Sequence, residues 1–296
     1  MLVHLNGKLI PAKEALISVF DHGFLYGDGI YETMRVYDGV TFMLDEHLKR
    51  LYRSASMIGL TIPVEADSLK NRVYDTLIAN SLKDAFVRLT VSRGYGPIGI
   101  DPELCHSPTI VIIAQEMKEH PKSFYEKGIS LIISDTKRNL KEALNPQIKS
   151  LNFLNNILAK IEAKKKGVHD AVMLNVYDKL TESTISNIFF YKEKVLCTPS
   201  PDCGILEGIT RGIVIEIAKR EGLTVNEGEF SKEDIYSAEE VFITNTTLEI
   251  MPVSRIDNKE YPVGNIAKLL HKAYREEVKA YIAKIKEEGP SIWGYQ

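Results

Sequence analysis

The chain reads as an α/β (α+β) protein of two domains, on three observations. Its 296 residues exceed what one compact core usually holds. Short alternating strands and amphipathic helices follow one another along the whole length, with periods of two and about 3.6 residues. A polar stretch, Glu116 to Glu126 with Pro121 inside it, separates two such series. Residues 1–115 are therefore read as a smaller N-terminal α/β domain, 116–126 as an interdomain linker and 127–296 as a larger C-terminal domain.

In the first series, Asn6-Gly7 turns a hairpin over residues 1–10. Phe20 to Gly29 packs three glycines and three aromatics into ten residues, which fits either a tight loop where backbone approaches a partner closely or a plain connector. Ile30 to Tyr37 alternates as a strand. Tyr31, Thr33 and Arg35 share one face, suited to the floor of a polar pocket, and Glu32 and Met34 share the other. Asp45 is expected to cap a helix running to Ile58, with Leu48, Leu51, Ala55 and Ile58 as its buried stripe and Gly59 as its stop. Arg50 borders that stripe, so its head either points inward at an anion or stays solvated. A helix over 66–80 and strands over 85–93 and 108–115 complete the series.

The second series opens with a strand over 129–134 and reaches Pro146-Gln147-Ile148-Lys149-Ser150-Leu151-Asn152, followed by a helix from Leu151 to Lys165. Lys149 stands between apolar residues. A lysine kept partly dry becomes available as an amine nucleophile, and the ordinary alternative is one more surface lysine. Strands follow over 171–176 and 188–191, with Glu182 among small hydroxyl residues just before the latter: a partner for a cationic ligand group or a loop acid. Gly204 to Arg211 feeds a helix with the stripe Ile209, Ile213 and Ile217, and the free N–H groups of such a start favour an anion. Strand 240–244 runs into the hydroxyl-rich turn Asn245-Thr246-Thr247. From Ile266 the chain is one charged helix, and the tail after Gly289 carries the single tryptophan, Trp293.

Composition narrows the function. A net charge of -3 gives no field for nucleic acid or an anionic membrane. Cys105, Cys197 and Cys203 are odd in number and lack zinc spacing, which predicts a reducing compartment and no metal site. No apolar run reaches the length of a membrane span, and Met1 to Lys8 lacks the pattern of a signal peptide. The expectation is a cytoplasmic enzyme for small molecules, with no nucleic-acid or membrane partner.

An amine, an acid, an arginine and a hydroxyl-lined helix start are the parts needed to hold pyridoxal 5'-phosphate. The motifs Tyr26-Gly27-Asp28-Gly29-Ile30-Tyr31-Glu32, Glu46-His47-Leu48-Lys49-Arg50-Leu51, Lys149-Ser150-Leu151-Asn152, Thr181-Glu182 with Asn187, Gly204 to Arg211 and Thr246 to Val253 resemble, in order, those of the fold type IV pyridoxal-phosphate aminotransferases. The resemblance runs from Asn6 to Val263. It implies a two-domain, D-amino acid aminotransferase-like fold with the site between the domains, a homodimer with the site at its interface, and Lys149 as Schiff-base lysine in the C-terminal domain.

The same resemblance implies Glu182 as the acid for the pyridine nitrogen, and Arg50, Ile209, Thr210 and Thr246 as the phosphate holders. Phe153 stands where family members usually carry a tyrosine or an aliphatic residue. In D-specific members an Arg-x-His pair binds the substrate carboxylate, and Ile98 and Ile100 align with it here. Tyr31 to Tyr37 instead resembles the strand of branched-chain enzymes. The expected activity is transamination of L-branched-chain amino acids with 2-oxoglutarate, Tyr31, Arg35, Arg93 and Thr247 forming the substrate shell. D-amino acid or (R)-amine transamination is the alternative, and aminodeoxychorismate lyase a further one.

Overall fold

A computed structural model describes residues 1–288; Trp293 and the rest of the tail from Gly289 lie outside them. The chain divides into two compact units. The first holds Met1–Lys118, Ile148–Phe153 and the chain from Val278; the second holds Glu119–Gln147 and Leu154–Glu277. Lys149, expected in the C-terminal domain, therefore belongs to the first unit. The physical reason is backbone pairing: Ser150 bridges Ile30, the Tyr31 N–H donates to Lys149 O at 3.0 Å and the Leu151 N–H donates to Gly29 O at 2.8 Å.

The first unit carries strands β1 (Leu2–Leu5) and β2 (Lys8–Pro11), the short helix α1 (His22–Tyr26), strands β3 (Gly29–Tyr37) and β4 (Val40–Thr41), helices α2 (Leu44–Met57) and α3 (Ala66–Ala79), and strands β5 (Ala85–Ser92) and β6 (Thr109–Glu116). The strands form one antiparallel sheet in the order β2-β1-β6-β5-β3-β4. Asn6 and Gly7 both take positive φ, as the first hairpin turn requires. Leu48 and Leu51 of α2 and Leu69, Val73 and Leu77 of α3 share a core with Met34, Val87, Leu89 and Ile112. One face of the sheet is thus buried under helices.

Two local expectations change. The glycine-rich loop folds into α1, because Asp21 caps it by accepting from the Gly23 N–H at 2.8 Å and Gly27 closes it at φ 69°. Asp45 does not cap α2: Met43 is its N-cap, and Asp45 lies within the first turn, where an acid also suits the helix dipole.

The second unit opens with helix α4 (Lys122–Lys127), where a linker was expected, beginning just after Pro121. It continues through β7 (Ile129–Ile133), α5 (Leu154–Lys165), β8 (Asp170–Leu174), β9 (Leu180–Ser183), β10 (Asn187–Lys192), β11 (Val195–Pro199), α6 (Ile209–Arg220), β12 (Thr224–Gly228), α7 (Lys232–Tyr236), β13 (Glu240–Asn245), β14 (Glu249–Ile256), β15 (Lys259–Glu260) and α8 (Asn265–Glu288), whose last turns fall in the first unit. Strands β10, β13, β14, β7, β8 and β9 pair in sequence, and β9 pairs back to β10, so six strands close on themselves. Val172, Leu180, Ile188, Val241, Met251 and Val253 pack together in one core. Helix α6 buries Thr210, Arg211, Val214 and Ile217, and Ile209 and Ile213 are only partly covered. Its stripe is rotated from the expected one because Arg211 is drawn inward by Pro199 O at 2.9 Å and Glu227 at 2.8 Å.

Candidate active site

In the first unit the Lys149 amine donates to the Tyr31 hydroxyl at 3.5 Å and lies 4.5 Å from the centre of that ring. Its own backbone N–H donates to Ser54 Oγ at 3.2 Å. Tyr31 meets Phe153 edge to face, and the Arg88 guanidinium lies 3.9 Å from the ring centre. Burial pushes the Tyr31 hydroxyl up to about 12, against the pull of Arg88, so it remains a neutral donor. Phe153 offers no hydroxyl and serves as packing. Gly29 is obligatory beneath this segment, since a Cβ there would meet Leu151 Cδ1 and Val91 O at 2.7 Å.

The alternation of β3 turns Glu32 toward α2. There Arg50 donates Nε to Glu32 Oε1 and Nη2 to Oε2, each at 2.7 Å, and His47 Nδ1 donates to Oε2 at 2.8 Å. Glu32 has no exposed surface and Arg50 only 6%. Burial alone would raise the Glu32 carboxyl, but the Arg50 charge and the bonds from Arg50 and His47 take it down to about 2. Burial also lowers His47, which stays neutral. Arg50 does point inward at an anion, and that anion is Glu32.

Arg35 and Arg93 diverge. Arg35 is buried, with its guanidinium 4.7 Å from the Tyr37 ring centre and its Nη1 without a hydrogen-bond partner. A donor in that state is poised for an acceptor from outside the protein. Arg93, expected in the substrate shell, is engaged elsewhere: Nε and Nη2 donate to Asp28 at 2.6 and 3.1 Å, Nη2 to Ile58 O at 2.8 Å and Nη1 to Gly59 O at 3.0 Å. It ties the end of α2 to the residue after the Gly27 turn, as a cation at a helix C-terminus does well.

In the second unit Glu182 is buried, and Arg138 donates Nε and Nη2 to its Oε1 at 3.1 and 2.8 Å. Its Oε2 accepts from Asn187 Nδ2 at 3.3 Å and from the Leu206 N–H at 3.1 Å. Arg138 is positioned in turn by Asn155 and Asn156, each at 3.2 Å. Gly208, the N-cap of α6, has no side-chain cap, and a Cβ on it would stand 2.0 Å from Asn187 Oδ1. The N–H groups of Ile209 and Thr210 thus open the helix beside the Glu182 network. Thr244 pairs across from Asn187, and its hydroxyl is buried without a partner. Beyond it, Asn245 Oδ1 accepts from the N–H groups of Thr247 at 2.9 Å and Leu248 at 2.7 Å. The amide of Thr247, a residue expected in the substrate shell, is already used, leaving Thr246 as the end of the turn suited to an anion.

A family model for class IV amino-transferases matches residues 29–256, which include both arrangements. The chain is a class IV aminotransferase. Over 291 residues the enzyme is 44% identical to a Methanocaldococcus jannaschii protein provisionally assigned as a branched-chain-amino-acid aminotransferase, covering 97% of this chain and 100% of that one. It is 33% identical to the aminodeoxychorismate lyase of Bacillus subtilis over 296 residues, 99% of each chain, and 34% identical to the D-alanine aminotransferase of Listeria monocytogenes over 284 residues, 94% of this chain and 96% of that one. The branched-chain aminotransferase of Thermoproteus uzoniensis, solved with norvaline, superposes with a TM-score of 0.90 at 32% identity over 96% of each chain. The fold is that of the fold type IV aminotransferases, as the motifs implied.

The aminotransferase's cofactor is pyridoxal 5'-phosphate. The residues present fit it. The orphaned Thr244 hydroxyl, the uncapped start of α6 and the buried Glu182 are an acceptor-poor, donor-rich set with one carboxylate, matching a phosphate and a protonated ring nitrogen.

Sequence reasoning missed Glu32, His47, Arg88 and Arg138. For Glu32 the signal was present: a charged residue on the helix-covered face of β3 must be paired. Arg138 lies in irregular chain between β7 and α5 and carries no comparable signal.

Proposed function

We propose that this class IV aminotransferase exchanges the amino group between L-branched-chain amino acids and 2-oxoglutarate. The observation that carries the reading is the face of β3, β5 and β6 opposite the helices. Residues opposite one another in register share a face, so Tyr31, Thr33 and Arg35 lie alongside Thr90, Arg88 and Phe86, with Val111, Ile113 and Gln115 beyond them. Apolar surface there suits an aliphatic side chain, and the two guanidiniums suit the second carboxylate of a dicarboxylic acceptor. Ile98 and Ile100, largely exposed, offer no carboxylate clamp of the D-specific kind.

Bound pyridoxal 5'-phosphate supplies an aldehyde and an electron-withdrawing ring. Lys149 Nζ is the amine for that aldehyde and carries the proton at the substrate α-carbon, oriented by the Tyr31 hydroxyl. Glu182, ion-paired with Arg138, would be the carboxylate for the protonated ring nitrogen. Arg50, Ile209, Thr210 and Thr246 are the residues that would hold the phosphate.

The same reading makes the enzyme a homodimer. Phe20 and Tyr95 meet edge to face, and Tyr26 reaches the Gly99 N–H at 3.0 Å, so the exposed Phe24, Ile98 and Ile100 belong to one apolar surface of the first unit. A second copy would cover it.

The test is a half-reaction: L-leucine, D-alanine or (R)-1-phenylethylamine is added separately to the loaded enzyme and the visible absorbance of the bound cofactor is followed. Fast loss with L-leucine alone is expected. Loss mainly with D-alanine or the amine would overturn the branched-chain reading.

A further inference from the structure

The turn between β13 and β14 ends in a conformation that its sequence disfavours. Glu249 closes it at φ 57°, a left-handed geometry that a glycine or asparagine would adopt at lower cost, and yet the residue is 3% exposed. Its carboxylate shows what holds it. Glu249 Oε2 accepts from His271 Nε2 at 2.8 Å and from Arg275 Nε, both one helix away on α8. Because a carboxylate only accepts, Nε2 must carry the proton. The Tyr125 ring stacks on His271 at 5.3 Å, and its hydroxyl donates to Leu248 O at 3.1 Å. One side of the turn is therefore fastened to α8 and α4, and the other by Asn245 Oδ1.

We infer that Glu249, through His271 and Arg275, is a positioning residue: it holds the Thr246 end of the turn in its anion-binding shape and thereby sets the affinity for the cofactor phosphate. The inference rests on the reading of Thr246, through its side-chain hydroxyl, as a phosphate contact. Its physical content is that the local backbone cost is maintained by a charge-assisted tether. Arg275 is half exposed, so it can be solvated when the tether is lost. Removing the tether should therefore loosen the site and spare the fold.

The experiment measures the dissociation constant of pyridoxal 5'-phosphate for the cofactor-free enzyme, and the unfolding midpoint of that same form, in Glu249→Gly, Glu249→Gln and Thr246→Val. Glycine relieves the φ cost and removes both bonds, and glutamine keeps an acceptor for His271 without the charge. Expected is a loss of affinity of about tenfold or more in Glu249→Gly, a smaller loss in Glu249→Gln, and an unfolding midpoint near the parent's in both. Loss of affinity in Thr246→Val with none in Glu249→Gly would overturn the tether. Unchanged affinity in Thr246→Val would overturn the reading beneath it and the inference with it. A loss in Glu249→Gly matched by a large fall in the unfolding midpoint would make Glu249 a structural residue only.

Discussion

Each unit of this enzyme holds a buried glutamate paired with a buried arginine, Glu32 with Arg50 and Glu182 with Arg138, and on the proposed function the two pairs divide the work in opposite ways. In the first, Arg50 is the group proposed to meet the ligand and Glu32 holds it, with both oxygens engaged by one guanidinium at 2.7 Å. In the second, Glu182 is the group proposed to meet the ligand and Arg138 holds it through Oε1, while Oε2 accepts from Asn187 and the Leu206 N–H. On that proposal the same kind of ion pair aims a cation in one place and holds an anion in the other. Which partner is functional is decided by what else surrounds the pair.

The largest expected effect comes from breaking either pair at its arginine. Arg50→Met leaves the Glu32 charge with no exposed surface, and unfolding in urea should show a loss of about 3–5 kcal/mol. Arg138→Met should lose less, because Glu182 keeps two other donors. Equal losses would remove the distinction between the two surroundings.

A smaller effect tests what is not part of either pair. Arg93→Lys loses the two-pronged contact with Asp28 and one helix-end carbonyl, and should lower stability by about 1–2 kcal/mol with KM for the amino donor unchanged. A raised KM at unchanged stability would return Arg93 to the substrate shell.

The smallest effect is a pH dependence peculiar to the first pair. His47 is held neutral by burial, so its folded pKa lies below the ordinary value of 6.5. The unfolded chain then takes up a proton that the folded chain refuses, and stability falls as pH drops below 6.5. Glu32 has a folded value of about 2 against 4.5; its contribution is complete above 4.5 and is lost between there and 2. Between about pH 7 and about pH 5 the parent should therefore lose more unfolding free energy than His47→Asn does, and identical losses would mean that His47 is not held neutral.

The residue of each pair proposed to meet the ligand was singled out in the sequence, and its partner was not. Arg50 showed itself by bordering the buried stripe of α2, and Glu182 by standing among hydroxyl residues before a strand. Glu32 is 18 residues from Arg50, and Arg138 is 44 from Glu182, so only the pairing of β3 with its helices and the closure of the second sheet bring them together. Local patterning likewise gave the hairpins, the stripe of α2 and the strands of both sheets. It misplaced Lys149 because a three-residue pairing with β3 outweighs chain order, and it gave no sign of the contacts Arg93 makes with Asp28 and the end of α2, because an arginine at a strand end looks the same whether it faces a substrate or a helix terminus. The orphaned Thr244 hydroxyl and the occupied Thr247 amide depend on register and turn geometry, which no spacing rule encodes.

The most direct test of the opposed roles is a paired measurement on Glu32→Gln and Glu182→Gln, of cofactor affinity in the cofactor-free enzyme and of kcat at saturating cofactor. Glu32→Gln should weaken affinity by about tenfold and leave kcat near the parent's, because it loosens only the aim of Arg50. Glu182→Gln should lower kcat by about a hundredfold or more with a lesser change in affinity, because it removes the charge that keeps the ring nitrogen protonated. The same pattern in both variants, or the two patterns exchanged, would contradict the account.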